Sequence, residues 1–160
     1  MTNIVYVDMD GVIADFKGWI SQYGTFTEDD WYYPENAVLS PWKVMEDNIN
    51  TCYIDFQPLD LLQQFSKMYN ENTNLKFLSA LPAQWFGTNK WNIAKHNKLA
   101  WLLKNIDNFC KDDLIVTKGA KSKVLHCNIG DTLYDDRQDT IDKWNTAGGH
   151  GIYIVGKSCK

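Results

Sequence analysis

Two pairs of aspartates stand out for their spacing in this 160-residue chain. Asp8 and Asp10 lie in Asp8-Met9-Asp10-Gly11, and Asp135 and Asp136 in Tyr134-Asp135-Asp136-Arg137. Each pair directly follows a short apolar run. Ser79 follows another, and Lys118, Lys121 and Lys123 follow a third. If those runs are parallel strands of one sheet, all four groups meet at one edge. Four carboxylates gathered there repel: at an effective dielectric near 20, each pair about 4 Å apart costs roughly 4 kcal/mol. Such a cluster needs a cation, protonation or both. With oxygen donors only, the favoured ion is Mg²⁺, which commonly joins a few carboxylates to a substrate phosphate in phosphoryl chemistry. Singly, each residue has a plainer reading. Asp-x-Asp is common on surfaces, Asp136 is placed to cap a helix, Ser79 suits a turn, and lysines near a helix start are usually solvated. The functional reading rests on their conjunction in this order.

The elements that must position these groups follow from the apolar pattern. Runs at residues 3–7, 75–78, 114–117, 132–134 and 152–155 read as short strands, the first ending abruptly at Asp8. Helices are expected over 12–23, after Pro58 with Leu61, Leu62, Phe65, Met68 and Tyr69 on one face, over 89–105, over 122–127, and around Ile141 and Trp144. Leu99, Leu102, Leu103 and Ile106 look like the apolar stripe of the long helix, and Gly148-Gly149 like the stop of the last one. Strands alternating with helices indicate an α/β fold, a Rossmann-like parallel five-stranded sheet with helices on both faces. In such sheets ligands bind beyond the carboxyl ends of the strands. Residues 24–57 differ: aromatics crowd among acids and prolines without a sustained period, which reads as a small insertion of short helices and loops. The expected division is therefore 1–16 and 57–160 for the α/β core and 17–56 for a small helical cap inserted after the first strand.

Composition narrows the partners. Sixteen basic against twenty acidic side chains give a net charge of −4, which argues against a protein that coats a nucleic acid polymer or an anionic membrane. No run of 18 apolar residues is present, and the first residues start a strand. The four cysteines, Cys52, Cys110, Cys127 and Cys159, have no zinc spacing and read as free thiols in a reducing, cytoplasmic setting.

On these residues the sequence resembles the haloacid dehalogenase (HAD) superfamily, and within it the 5′(3′)-deoxyribonucleotidases, including their compact phage and bacterial members. The first signature is matched by Asp8-Met9-Asp10-Gly11-Val12-Ile13-Ala14-Asp15-Phe16, the second by Leu78-Ser79-Ala80-Leu81-Pro82, and the fourth by Gly130-Asp131-Thr132-Leu133-Tyr134-Asp135-Asp136-Arg137. The resemblance covers the whole chain, loosely over 24–57. It implies a phosphomonoesterase that hydrolyses nucleoside 5′- or 3′-monophosphates through an aspartyl-phosphate. Asp8 is then the nucleophile and Asp10 the general acid and base. Mg²⁺ would be held by Asp8, Asp10 (through its backbone carbonyl) and Asp135, with Asp136 acting through water. Ser79 and Ala80 would hold the phosphoryl group and Phe16 the nucleoside, with help from one or two of Trp31, Tyr32, Tyr33 and Trp42. For the third signature, Lys123 is favoured as the catalytic lysine. Lys121 is the runner-up or a substrate contact, and Lys118 a turn residue. Asp15 is expected to orient the loop or cap the helix. The resemblance also allows a homodimer, for which nothing in the sequence marks an interface. Two alternatives stand beside the nucleotidase: a HAD phosphatase for another small phosphorylated metabolite, and a non-catalytic nucleotide-binding HAD domain.

Overall fold

A computed structural model describes residues 2–71 and 74–155. Five strands, β1 (Val5–Val7), β2 (Leu75–Leu81), β3 (Leu114–Lys118), β4 (Thr132–Asp135) and β5 (His150–Tyr153), form one sheet in the order β3-β2-β1-β4-β5, with every pair parallel. The chain adds strands to one side of β1 and then crosses to the other. The reversal point therefore lies between the carboxyl ends of β1 and β4, where an open α/β sheet binds its ligand. Register makes the two aspartate pairs neighbours: Val7 pairs with Tyr134, and the Asp8 amide donates to the Tyr134 carbonyl at 2.9 Å.

Alternation along the strands sends side chains to two apolar layers. Val7 and Phe77 enter the larger cluster with Phe65, Trp101 and Leu102, whereas Tyr6, Leu78 and Leu133 enter a second one with Ile141 and Trp144. The helices α1 (Phe16–Ser21), α2 (Glu28–Tyr32), α3 (Pro41–Asp47), α4 (Leu61–Asn70), α5 (Asn89–Asn105) and α6 (Gln138–Thr146) include members packed in each layer, so both faces are covered as expected.

The structure corrects several expected elements. The first helix begins at Phe16, not at residue 12. The Met9 carbonyl accepts from the amides of Val12, Ile13 and Ala14, and the Asp15 amide is drawn to the Gln57 carbonyl at 2.8 Å. Val12 to Ala14 thus form a tight loop, and Asp15 caps the helix by accepting from the Gly18 amide at 2.9 Å. Pro58 lies outside α4, opposite Ala14 in an isolated bridge. Strand β2 does not stop before Ser79: pairing of Ser79, Ala80 and Leu81 with Val116, Thr117 and Lys118 carries it to Leu81, and Pro82 follows. The segment after β3 is a 3-10 helix, Ala120–His126, and β5 starts two residues earlier than expected. The long helix has the expected bounds, and its expected stripe holds in part: Leu102 and Ile106 are buried and Leu99 is half-buried, but the buried face also carries polar residues. Ala94, Asn97, Lys98, Trp101 and Leu102 point inward at helical spacing, while Leu103 is exposed.

Within the stretch between α1 and α4, Val44, Met45, Cys52, Tyr53 and Phe56 belong to the larger cluster. Helix α5 holds this stretch by its polar atoms. Asn97 Nδ2 donates to the carbonyls of Ile49 (3.0 Å) and Cys52 (3.1 Å), and Trp101 Nε1 donates to that of Phe56 at 2.7 Å. At its near end, Glu46 accepts from Trp85 Nε1 and pairs with Lys90. Cys52, Cys110 and Cys127 are free thiols, and Cys159 lies outside the described residues. Among the described residues no helix is long and apolar enough to cross a membrane.

Candidate functional site

Asp8 leaves β1 and Asp135 closes β4, so parallel pairing alone sets their side chains side by side; Asp136 follows on the next residue. One carboxylate oxygen from each of these three lies within 4.8 Å of the other two. Gly11 allows this approach. Its φ of +80° is a left-handed conformation that side chains rarely adopt, and a Cβ there would collide with the Asp136 carboxylate.

The 3-10 helix after β3 delivers Lys123 to the same point. Its Nζ lies 2.8 Å from Asp8 Oδ1 and 2.7 Å from Asp135 Oδ2, and the side chain is only 2% exposed. Burial alone would lower the Lys123 pKa, but the charges of Asp8 and Asp135 override it and raise it, so the ammonium stays charged. One lysine does not balance three carboxylates. Burial raises the Asp8 pKa, with Lys123 pulling the other way. Asp135 is pushed up to about 6 by burial and by Asp8. Asp136 reaches about 8, from burial and then the charges of Asp8 and Asp135. At neutral pH the cluster therefore favours either a proton or a cation. A donor set of three hard carboxylate oxygens fits Mg²⁺ by charge and by chemistry.

Asp10 belongs to a second group. Its carboxylate turns from the other three: Oδ2 receives Lys98 Nζ at 2.8 Å, while Oδ1 is buried without a hydrogen-bond partner among the described residues. Lys98 also donates to Ser79 Oγ at 2.8 Å and lies 4.0 Å from the centre of the Tyr53 ring. Both Ser79 and Lys98 are fully buried. Lys98 is the residue that the reading of the sequence missed. The available signal was its place one turn from Ala94 and Trp101 on α5, but a lysine on a helix normally reads as solvated.

Above these groups opens a cavity of about 610 Å³ with Asp8, Asp10, Lys123 and Asp136 at its floor. Phe16, Trp31, Tyr32, Trp42 and Tyr53 form an aromatic wall, and Ala80 and Leu81 face it from the end of β2. Trp31 and Trp42 meet edge to face at 5.0 Å, and Trp42 Nε1 donates to the Trp31 carbonyl at 3.0 Å. Phe16 contacts Trp31 at 5.7 Å between ring centres. Other expected residues fall elsewhere. Lys121 and Tyr33 are exposed and do not line the cavity, and Lys118 lies over the Phe86 ring at 5.0 Å. Tyr53, which the sequence placed only among the aromatics of the insertion, both lines the cavity and touches Lys98. Its φ of +72° is left-handed, a conformation that costs a bulky residue roughly 1–3 kcal/mol and persists only where its surroundings impose it.

Neither a family model nor a curated protein matches this chain. Among solved structures it is similar to the HAD domain of effector protein Lem4 from Legionella pneumophila, with 16% identity and a TM-score of 0.47 over 99% of this chain and 89% of that one.

Proposed function

We propose that this protein is a Mg²⁺-dependent phosphomonoesterase of the HAD type whose substrate is a small phosphorylated metabolite, a nucleoside monophosphate in the first instance. The observation that carries this reading is the convergence of Asp8, Asp135 and Asp136 with buried Lys123 at the floor of an aromatic-walled cavity. The signatures around Asp8, Ser79 and Asp135 support it.

In this reading Asp8, Asp135 and Asp136 hold Mg²⁺, which supplies charge neutralisation for a phosphate dianion. Asp8 is the only one of the three that leaves the central strand directly beneath the cavity, and it attacks phosphorus to form an aspartyl-phosphate. Lys123 neutralises the nucleophile before attack and the transferring phosphoryl group during it. Asp10, oriented by Lys98 on its Oδ2, exchanges protons from the cavity floor. It protonates the leaving oxygen and then accepts a proton from the hydrolytic water, a role typically worth ~10²–10⁴-fold. Ser79 acts differently from the first expectation: its hydroxyl is buried against Lys98. The backbone at Ala80 and Leu81 is then what faces the phosphate. The aromatic wall suits the flat face of a base.

The test is phosphate release from a panel of deoxynucleoside and ribonucleoside 5′- and 3′-monophosphates and sugar phosphates, with Mg²⁺ and with EDTA. Mg²⁺-dependent hydrolysis favouring nucleotides is expected. Hydrolysis confined to sugar phosphates would keep the chemistry and retire the substrate. No release from any of them would move the protein to the binding-domain reading.

A further inference from the structure

We infer that Tyr53, supplied by the segment between α1 and α4, is a positioning residue for the chemistry: its ring holds the Lys98 ammonium on Asp10 and Ser79, and so fixes the orientation of the Asp10 carboxylate that exchanges the proton. The inference rests on the phosphatase reading above for its kinetic consequence, but its structural part stands by itself.

Lys98 reaches the site from the middle of α5 with no exposed surface, so its ammonium depends on the few groups around it. Two are polar, Asp10 Oδ2 and Ser79 Oγ, each at 2.8 Å. The third is the face of Tyr53 at 4.0 Å, well inside cation–π range and desolvated, where that interaction is strongest. The protein accepts a left-handed backbone at Tyr53 to put the ring there. It imposes that backbone from both sides: Asn97 Nδ2 anchors the carbonyls of Ile49 and Cys52 just before it, and Trp101 Nε1 anchors that of Phe56 just after. Those two anchors lie on the same face of α5 as Lys98, so one helix face orients both the lysine and the ring that holds it. The consequence falls on Asp10. With Oδ2 fixed by Lys98 and Oδ1 buried, the carboxylate is held in one orientation at the edge of the cavity. As the bond from phosphorus to the leaving oxygen breaks and that to Asp8 forms, a proton passes from the Asp10 carboxyl group to the leaving oxygen.

The experiment compares phenyl phosphate with 4-nitrophenyl phosphate, substrates of nearly the same shape. The phenol oxygen needs a proton to leave, whereas 4-nitrophenolate departs as the anion. In Tyr53→Leu, kcat for phenyl phosphate should fall at least ~30-fold and that for 4-nitrophenyl phosphate less than ~5-fold, because only the first draws on general acid catalysis. Tyr53→Phe, which keeps the ring face, should restore both. Should Tyr53→Leu not fold, Tyr53→Met provides the same comparison. In parallel, unfolding of the Tyr53→Leu, Lys98→Met and double variants should be non-additive, since the second substitution removes a contact already lost. An equal fall on both substrates, or an additive cycle, would overturn the inference. If the wild-type protein hydrolyses neither substrate, the phosphatase reading fails, and the stability cycle alone decides whether Tyr53 holds Lys98.

Discussion

The two halves of the site, each built round a buried lysine, are balanced differently. On the β4 side, Lys123 faces Asp8 and Asp135 with Asp136 beside them, three carboxylates to one ammonium. On the α5 side, Lys98 faces Asp10 alone, with a neutral serine and an aromatic ring completing its surroundings. The first half is incomplete by charge, and the raised pKa values of Asp135 and Asp136 express it. The second matches a single ammonium to a single carboxyl group. The contrast assigns the cation to one half and proton handling to the other, although Asp8 and Asp10 are only two residues apart.

Removing the nucleophile should separate the halves most sharply. Asp8→Asn is expected to lower phosphate release by at least ~10³-fold, as loss of a nucleophile does elsewhere, while the fold persists because one of three repelling charges is gone. Retained turnover would end the assignment of covalent catalysis to Asp8. Next in size is Lys123→Met, which takes away the ammonium paired with the buried Asp8 and Asp135. Breaking a buried ion pair from one side costs about 3–5 kcal/mol, so denaturant unfolding in EDTA should show a loss of that order together with a large fall in activity. Lys118→Ala should change neither by much, because Lys118 is exposed and lies over Phe86. Equal effects of the two substitutions would displace Lys123 from the site.

The pH dependence of stability tests the imbalance without any substrate. Asp135 and Asp136 have folded pKa values near 6 and 8, above the ordinary carboxylate value of 3.8. Between roughly pH 4 and pH 8 the folded chain therefore binds more protons than the unfolded one, and stability must fall as pH rises through that window. With EDTA the unfolding free energy should decline across it. Saturating Mg²⁺ should flatten the decline, and at 100 times its dissociation constant an ion adds about 2.7 kcal/mol. A flat profile in EDTA would show that the cluster is not frustrated. The smallest effect belongs to Gly11→Ala, where a left-handed φ and the nearby Asp136 carboxylate both oppose a methyl group. Adding a Cβ at such a backbone position costs on the order of 1 kcal/mol, and the displaced Asp136 should weaken Mg²⁺ binding in a calorimetric titration. Unchanged binding would exclude Asp136 from the cation site.

Much of the β4 half is legible in the chain itself. Strand-end logic places Asp8, Asp135 and Asp136 together because parallel register is a local rule: once Val7 pairs with Tyr134, the residues that follow must be neighbours. Strand-end logic brings Lys118, Lys121 and Lys123 alike towards the site, and only the resemblance to the family's third signature favours Lys123 among them. The α5 half is not legible in this way. Lys98 lies in mid-helix among other lysines, and its burial depends on which face of α5 meets the end of β2 and the stretch before α4. Of the expected stripe, Leu102 and Ile106 are buried and Leu103 is exposed, and the helix also buries Asn97 and Lys98, whose polar atoms have partners waiting inside.

The sequence by itself determined the α/β alternation, the bounds of α5 and the aspartates at the strand ends, because apolar periodicity and parallel pairing act over short distances along the chain. Tertiary structure alone decided that Ser79 lies inside β2, that Lys121 stays in solvent and that Tyr53 sits beneath a buried lysine. Those outcomes depend on contacts between segments some twenty to ninety residues apart, where the cost of burying a charge is set by the groups that other segments bring to it.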